Sequence, residues 1–214
     1  MATLRITEIF HSLQGEAQTS GRPTVFVRLT GCPLRCGYCD SEYAFHGGEI
    51  KEISGIMDEV AEFKPRHITV TGGEPLAQPN CLELLSKLCD ANYSVSLETS
   101  GALDIARVDE RVSVVMDLKT PGSGESQRNL YQNIALLKPK DQVKFVICDK
   151  QDFAWACFKL DEYDLTNRVD EVLFSASHET LNPRELADWI VAANVDVRMQ
   201  LQLHKYLWGD IPGV

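Results

Sequence analysis

The chain has 214 residues, is 44% hydrophobic and carries a net charge of −10. That length suits one domain with a sizeable core, and the acidic balance excludes the basic face of a nucleic-acid-binding protein. No stretch reaches the roughly 18 apolar residues of a membrane span and the first residues form no signal peptide, so a cytoplasmic protein without a membrane partner is expected.

In chain order, Leu13-Gln14-Gly15-Glu16 comes first. An amide and a carboxylate two residues apart match the amino-amide edge of a pterin or guanine; read alone, the run is a surface turn. Residues 24–29 (TVFVRL) read as a strand carrying Arg28, which is either an exposed strand residue or a bidentate partner for a substrate carboxylate. This strand feeds Cys32, Cys36 and Cys39, spaced C-x3-C-x2-C, with no further cysteine before Cys81. Three thiolates on one short loop can hold three corners of a four-iron cluster and leave one iron open. A structural zinc site needs a fourth ligand, for which His46 is the candidate. Tyr38, Asp40 and Ser41 flank the third cysteine.

A helix is expected over 52–63, then a strand over 67–71 that runs into Gly72-Gly73-Glu74-Pro75. The two glycines allow close backbone approach to a ligand, and Glu74 can accept from an ammonium group; in isolation the motif is a Gly-Pro turn. Further expected elements are a helix over 80–91, a strand over 94–98 ending in Thr99-Ser100-Gly101, and a strand over 112–117 ending in Asp117-Leu118-Lys119. A helix over 130–138, a strand over 142–147, a helix over 152–159 and a strand over 171–174 follow. Pro183 after Asn182 starts a helix to 193, and a strand over 196–200 closes the pattern. The tail, residues 201–214, holds His204, Tyr206 and Trp208, too aromatic for a frayed end, and is expected to fold back over the site. The four unclustered cysteines read as inert thiols.

Repeated β-then-α units give an α/β protein with an incomplete, open barrel of about six mostly parallel strands. In such sheets ligands bind at the C-terminal strand ends. Every candidate motif is expected just after a strand, which gathers them all at one rim.

The runs S-L-Q-G-E, R-L-T-G-C-P-L-R-C-G-Y-C-D-S, T-G-G-E-P, E-T-S-G and L-H-K-Y-L-W-G, in collinear order, resemble the 7-carboxy-7-deazaguanine synthase family of radical S-adenosylmethionine (SAM) enzymes. The resemblance implies one radical SAM core domain over 1–214, the tail closing the active site, and a homodimer. It implies a [4Fe-4S] cluster, SAM and Mg²⁺ as cofactors, and an electron donor such as flavodoxin or ferredoxin. The implied substrate is 6-carboxy-5,6,7,8-tetrahydropterin, whose ring a 5′-deoxyadenosyl radical rearranges and contracts with loss of ammonia, SAM being regenerated.

Carried over by position, Cys32, Cys36 and Cys39 ligate the cluster and Ser41 the Mg²⁺. Tyr38, Cys39, Asp40, Gly73, Glu74, Gly101, Asp117, Leu118 and Lys119 contact SAM. Leu13, Gln14, Gly15, Glu16, Arg28, Thr99, His204 and Pro212 hold the pterin. Asp117-Leu118-Lys119 departs from the Ser-Pro-Lys of some members, and Ser41 from the usual threonine. A glycyl-radical activating enzyme shares the cysteine spacing, but the Gln14/Glu16 pair and the aromatic tail favour a closed small-molecule pocket.

Overall fold

The computed structural model describes residues 2–178, 180–209, 211 and 213. In order the elements are β1 (Thr3–Leu13), β2 (Pro23–Leu29), β3 (Glu49–Glu52), α1 (Ile53–Glu62), β4 (His67–Gly72), α2 (Cys81–Asp90), β5 (Ser94–Thr99), β6 (Ser113–Asp117), β7 (Gln142–Ile147), α3 (Lys150–Tyr163), α4 (Leu165–Arg168), β8 (Glu171–Ala176), α5 (Pro183–Ala193), β9 (Arg198–Gln200) and α6 (Leu203–Trp208). The strands form a single open sheet ordered β3-β1-β2-β4-β5-β6-β7-β8-β9. From β2 to β9 neighbours run parallel, while β1 is antiparallel to both β2 and β3. No helix among the described residues is long and apolar enough to cross a membrane.

The open α/β architecture matches expectation, but the sheet has nine strands rather than about six. Seven of the nine answer to the strands expected along the chain, and the two without a counterpart are β1 and β3, which precede and follow β2 as an antiparallel edge. A register shift between Ile6 and Glu8 breaks the period-two pattern that would have marked β1. The helix expected over 130–138 is a 3₁₀ stretch, Tyr131–Leu136. Inside it the buried Asn133 amide donates to the carbonyls of Gly101 at 3.1 Å and Leu103 at 2.8 Å, tying the segment to the loop after β5. Helix α3 starts two residues early because Asp149 caps it, accepting from the amides of Gln151 and Asp152.

Buried parallel strands are usually apolar on both faces. Here one face is apolar throughout and the other is mixed. Val143, Phe145 and Ile147 of β7 enter a core with Phe153, Ala156 and Leu160 of α3 and Leu186 and Ile190 of α5. Val25, Val27, Ile68, Val70, Val95 and Leu97 pack likewise on Ile56 and Val60 of α1 and Leu84, Leu85 and Leu88 of α2. The alternate positions, among them Arg28, Thr71, Glu98, Asp117, Lys144 and Ser175, line a cavity on the other face. The segment after β1 crosses this face. Ala17 N donates to Gln200 Oε1 and Gln18 N to Gln142 Oε1, both at 2.8 Å, and Ala17 packs on Val115 and Leu173. Residues 14–18 thus floor the cavity and join the first strand to the last.

Candidate active site

The cysteine loop leaves β2 and is held by its neighbours' backbones. Gly31 N donates to Ala44 O at 2.8 Å, Glu74 N to Gly31 O at 2.8 Å, and Gly37 N to Ser123 O at 3.0 Å. Leu34 anchors the loop, fully buried. Cys32, Cys36 and Cys39 are half-buried and line the same cavity. Burial pushes the Cys36 thiol up to about 11, Lys119 opposing the rise and Asp117 and the other two thiols adding to it. Metal binding must therefore displace protons here, and cluster assembly is favoured as pH rises. Among the described residues no three His, Cys, Asp or Glu side chains close around a single ion, and His46 is exposed. Three thiols along one loop fit a multi-iron group with one iron per thiolate better than a zinc knuckle.

Gly72-Gly73-Glu74 packs against this loop, which gives Gly73 a further reason and corrects the expectation for Glu74. The close approach that Gly73 permits is to protein: a Cβ there would collide with the Gly31 carbonyl oxygen and come within 2.8 Å of Cys32 Cβ. Glu74 turns inward and is fully buried, so its carboxylate is not free for an ammonium group. It accepts from Leu76 N at 3.0 Å, Ser100 N at 2.7 Å, the Ser100 hydroxyl, and the Thr99 hydroxyl at 2.9 Å. Gly101, at φ +70° beneath Met116, and the fully buried Leu118 also lie behind the cavity wall. At these positions only backbone atoms remain for a ligand. Gly73→Ala is expected to lose about 2 kcal/mol of stability and to bind less iron on reconstitution. Urea unfolding and iron analysis test this; wild-type values in both would show that the glycine is dispensable.

A charged network lines the same cavity. Lys144 donates to Glu16 at 2.7 Å and lies 3.9 Å from Asp117, whose Oδ2 also binds Lys119 at 2.8 Å. Burial works against the Lys144 charge, but Glu16 and then Asp117 outweigh it and hold the ammonium above its ordinary range. Glu98 accepts from Gln14 at 3.2 Å and from Thr71 at 3.0 Å. Arg28 Nε is held by Glu8 at 2.6 Å, and Tyr43 donates to the same carboxylate oxygen at 2.9 Å. Asp40 stays below its ordinary range: burial would raise it, but hydrogen bonds from Ser41 and Gln202, with Lys144 and Lys205, outweigh burial.

Of the sequence candidates, Leu13, Gln14, Gly15, Glu16, Arg28, Cys32, Cys36, Tyr38, Cys39, Asp40, Ser41, Gly73, Thr99, Asp117, Lys119 and His204 line this one cavity. Pro212 lies outside the described residues. The cavity also takes in Thr71, Glu98, Lys144, Ser177 and Gln202, to which sequence reading gave no role. For the strand residues a signal exists: each is a polar side chain at a place that alternates with the buried apolar residues of a parallel strand. Two polar atoms of lining residues, Tyr38 Oη and Asp117 Oδ1, are buried without a hydrogen-bond partner among the described residues. Buried polar atoms are rarely left so, and a cavity lined by two of them suits a ligand.

Residues 26–121 match the Radical SAM superfamily model. Over 96% of its length the chain is 40% identical to the 7-carboxy-7-deazaguanine synthase of Koribacter versatilis, of which it covers 97%. It is 42% identical to the Chlorobaculum tepidum protein of that name, with 100% of this chain and 98% of the other aligned. The crystal structure of QueE from Escherichia coli shares the fold, with a TM-score of 0.77 at 22% identity over 94% of this chain and 95% of that one.

Proposed function

Because the chain belongs to the 7-carboxy-7-deazaguanine synthase family of radical SAM enzymes, we propose that it converts 6-carboxy-5,6,7,8-tetrahydropterin to 7-carboxy-7-deazaguanine. Ammonia is lost, SAM is used catalytically, and the product feeds queuosine biosynthesis. The family's [4Fe-4S] cluster and SAM supply, when bound, the one-electron chemistry that takes a hydrogen atom from the substrate and returns it.

In this reading Cys32, Cys36 and Cys39 hold the cluster and leave its fourth iron to SAM. Asp117 is fixed through Oδ2 by Lys119, and its Oδ1, with Tyr38 Oη, stays available to the cofactor. Glu16 reads the pterin edge with the lone pairs that Lys144 and Gln202 leave it. Gln14 positions Glu16, its buried amide being spent on Thr69, Glu98 and the Glu16 backbone N, and Thr99 supports the site from β5. The Arg28 Nε bond to Glu8 fixes the guanidinium and leaves its terminal nitrogens for the substrate carboxylate. Ser41 offers a hard oxygen for Mg²⁺ beside that carboxylate. His204 and the tail cover the bound molecule and exclude water. The chain works as one domain and as a homodimer, reduced by an electron carrier such as flavodoxin or ferredoxin.

The observation that carries this reading is that the cluster cysteines, the Gln14–Glu16 segment and Arg28 all face one cavity. The test is an anaerobic assay of reconstituted protein with SAM, dithionite, Mg²⁺ and 6-carboxytetrahydropterin, followed by mass spectrometry. Formation of 7-carboxy-7-deazaguanine without net loss of SAM is expected. Release of 5′-deoxyadenosine with no deazapurine would retain the radical chemistry and overturn the substrate.

A further inference from the structure

Gln202, which precedes α6, touches two carboxylates at once. Its Nε2 donates to Glu16 Oε1 at 2.8 Å and to Asp40 Oδ2 at 3.0 Å. Glu16 belongs to the cavity floor and Asp40 follows the third cysteine, so this one amide spans from floor to cysteine loop. A carboxamide nitrogen carries two hydrogens and no charge, so it can join two acids that would otherwise repel. The residues after it fix the tail to the same floor. Leu203 N donates to Gly15 O at 3.0 Å, and the His204 ring covers Gly15 so closely that a Cβ there would overlap its Nδ1. Lys144 holds the other oxygen of Glu16 and reaches toward Asp117, which extends the connection to the opposite wall.

We infer that Gln202 is the positioning residue through which the tail sets the floor of the cavity against the cysteine loop. A misplacement of about 1 Å between reacting groups can cost a hundredfold in rate, and Gln202 bridges the two segments whose separation matters. The inference rests on the proposed reaction only for the identity of what fills the cavity.

Gln202→Leu keeps the side-chain bulk and removes both donors. Two charge-assisted hydrogen bonds are lost, so amide hydrogen exchange over residues 203–208 is expected to quicken about tenfold or more. The Michaelis constant for 6-carboxytetrahydropterin is expected to rise about tenfold to a hundredfold, and more SAM should be consumed per product, while the visible absorption of the cluster stays as in wild type. Gln202→Glu brings a third carboxylate to the pair and should do at least as much harm. Unchanged tail exchange overturns the inference, as does a loosened tail with the Michaelis constant and SAM consumption unaltered. Loss of the cluster absorption with an unaltered Michaelis constant also overturns it, in favour of a structural role. If the wild-type enzyme makes no deazapurine, the proposed reaction fails while tail exchange still decides the fate of the bridge.

Discussion

Cys36→Ala is expected to fold normally, stay colourless after reconstitution and cleave SAM at no measurable rate. Cys36 is half-buried, and removing one thiol exposes little apolar surface, so the stability change should stay within about 1 kcal/mol. The effect on activity is large because the two remaining thiolates cannot fix a cluster that needs three protein ligands. Cys81 cannot substitute: it is fully buried on α2 and its thiol is pushed up to about 12, by burial first and then by Glu74. Iron content, visible absorption and 5′-deoxyadenosine release read the result together. A folded variant with wild-type turnover would remove Cys36 from the cluster.

Glu74→Ala should be the most damaging single change to stability, at about 3 kcal/mol or more. The carboxylate has no exposure and gathers two backbone amides and two hydroxyls, those of Leu76, Ser100 and Thr99. Truncation leaves the Leu76 and Ser100 amides buried without acceptors, which costs more than the hydrogen bonds contribute net. The loss also reaches the cysteine loop, because Glu74 N donates to Gly31 O. Glu74→Gln separates shape from charge: it fits the space but turns one acceptor into a donor facing donors, and about half the alanine cost is expected. Urea unfolding of the two variants decides the point. Near-wild-type stability in Glu74→Ala would mean that the loops after β4 and β5 hold each other without it.

The chemistry-bearing loops can be read from sequence because each is contiguous. C-x3-C-x2-C, Gly72-Gly73-Glu74 and Thr99-Ser100-Gly101 all follow apolar runs of strand length, and strand ends share a rim in parallel sheets. What contiguity does not carry is the partner of each residue. Gly73 reads as room for a ligand, whereas what it accommodates is the Gly31 carbonyl, 42 positions earlier in the chain. Glu74 reads as a free carboxylate until the loop after β5 arrives to saturate it. Lys144 and Glu98 carry a fainter signal that a count of apolar residues misses. In V-S-L-E-T polar residues alternate with the buried ones, and in V-K-F-V-I a single lysine interrupts an apolar run, as happens when only one face meets helices. Gln202 has no such pattern behind it, since its meaning depends on two acids brought from distant parts of the chain.

The hydrogen bond from Ala17 to Gln200 spans 183 positions, and it gives the assembly of the molecule a direction in time. From β4 to β9 every strand lies beside its predecessor in the chain, so the sheet can grow one unit at a time with short loops to close. The junction of residues 14–18 with β9 and α6 closes the longest loop, and the entropy of that closure rewards nothing until both partners are ordered. It is therefore expected to be the last native contact to form and the first to open under denaturant. A nascent chain that has emerged only as far as β8 already carries all three cysteines and the anchors of the floor at Gln142 and Lys144, yet its chamber has no roof. Enclosure arrives as a single late event, after the metal ligands are in place.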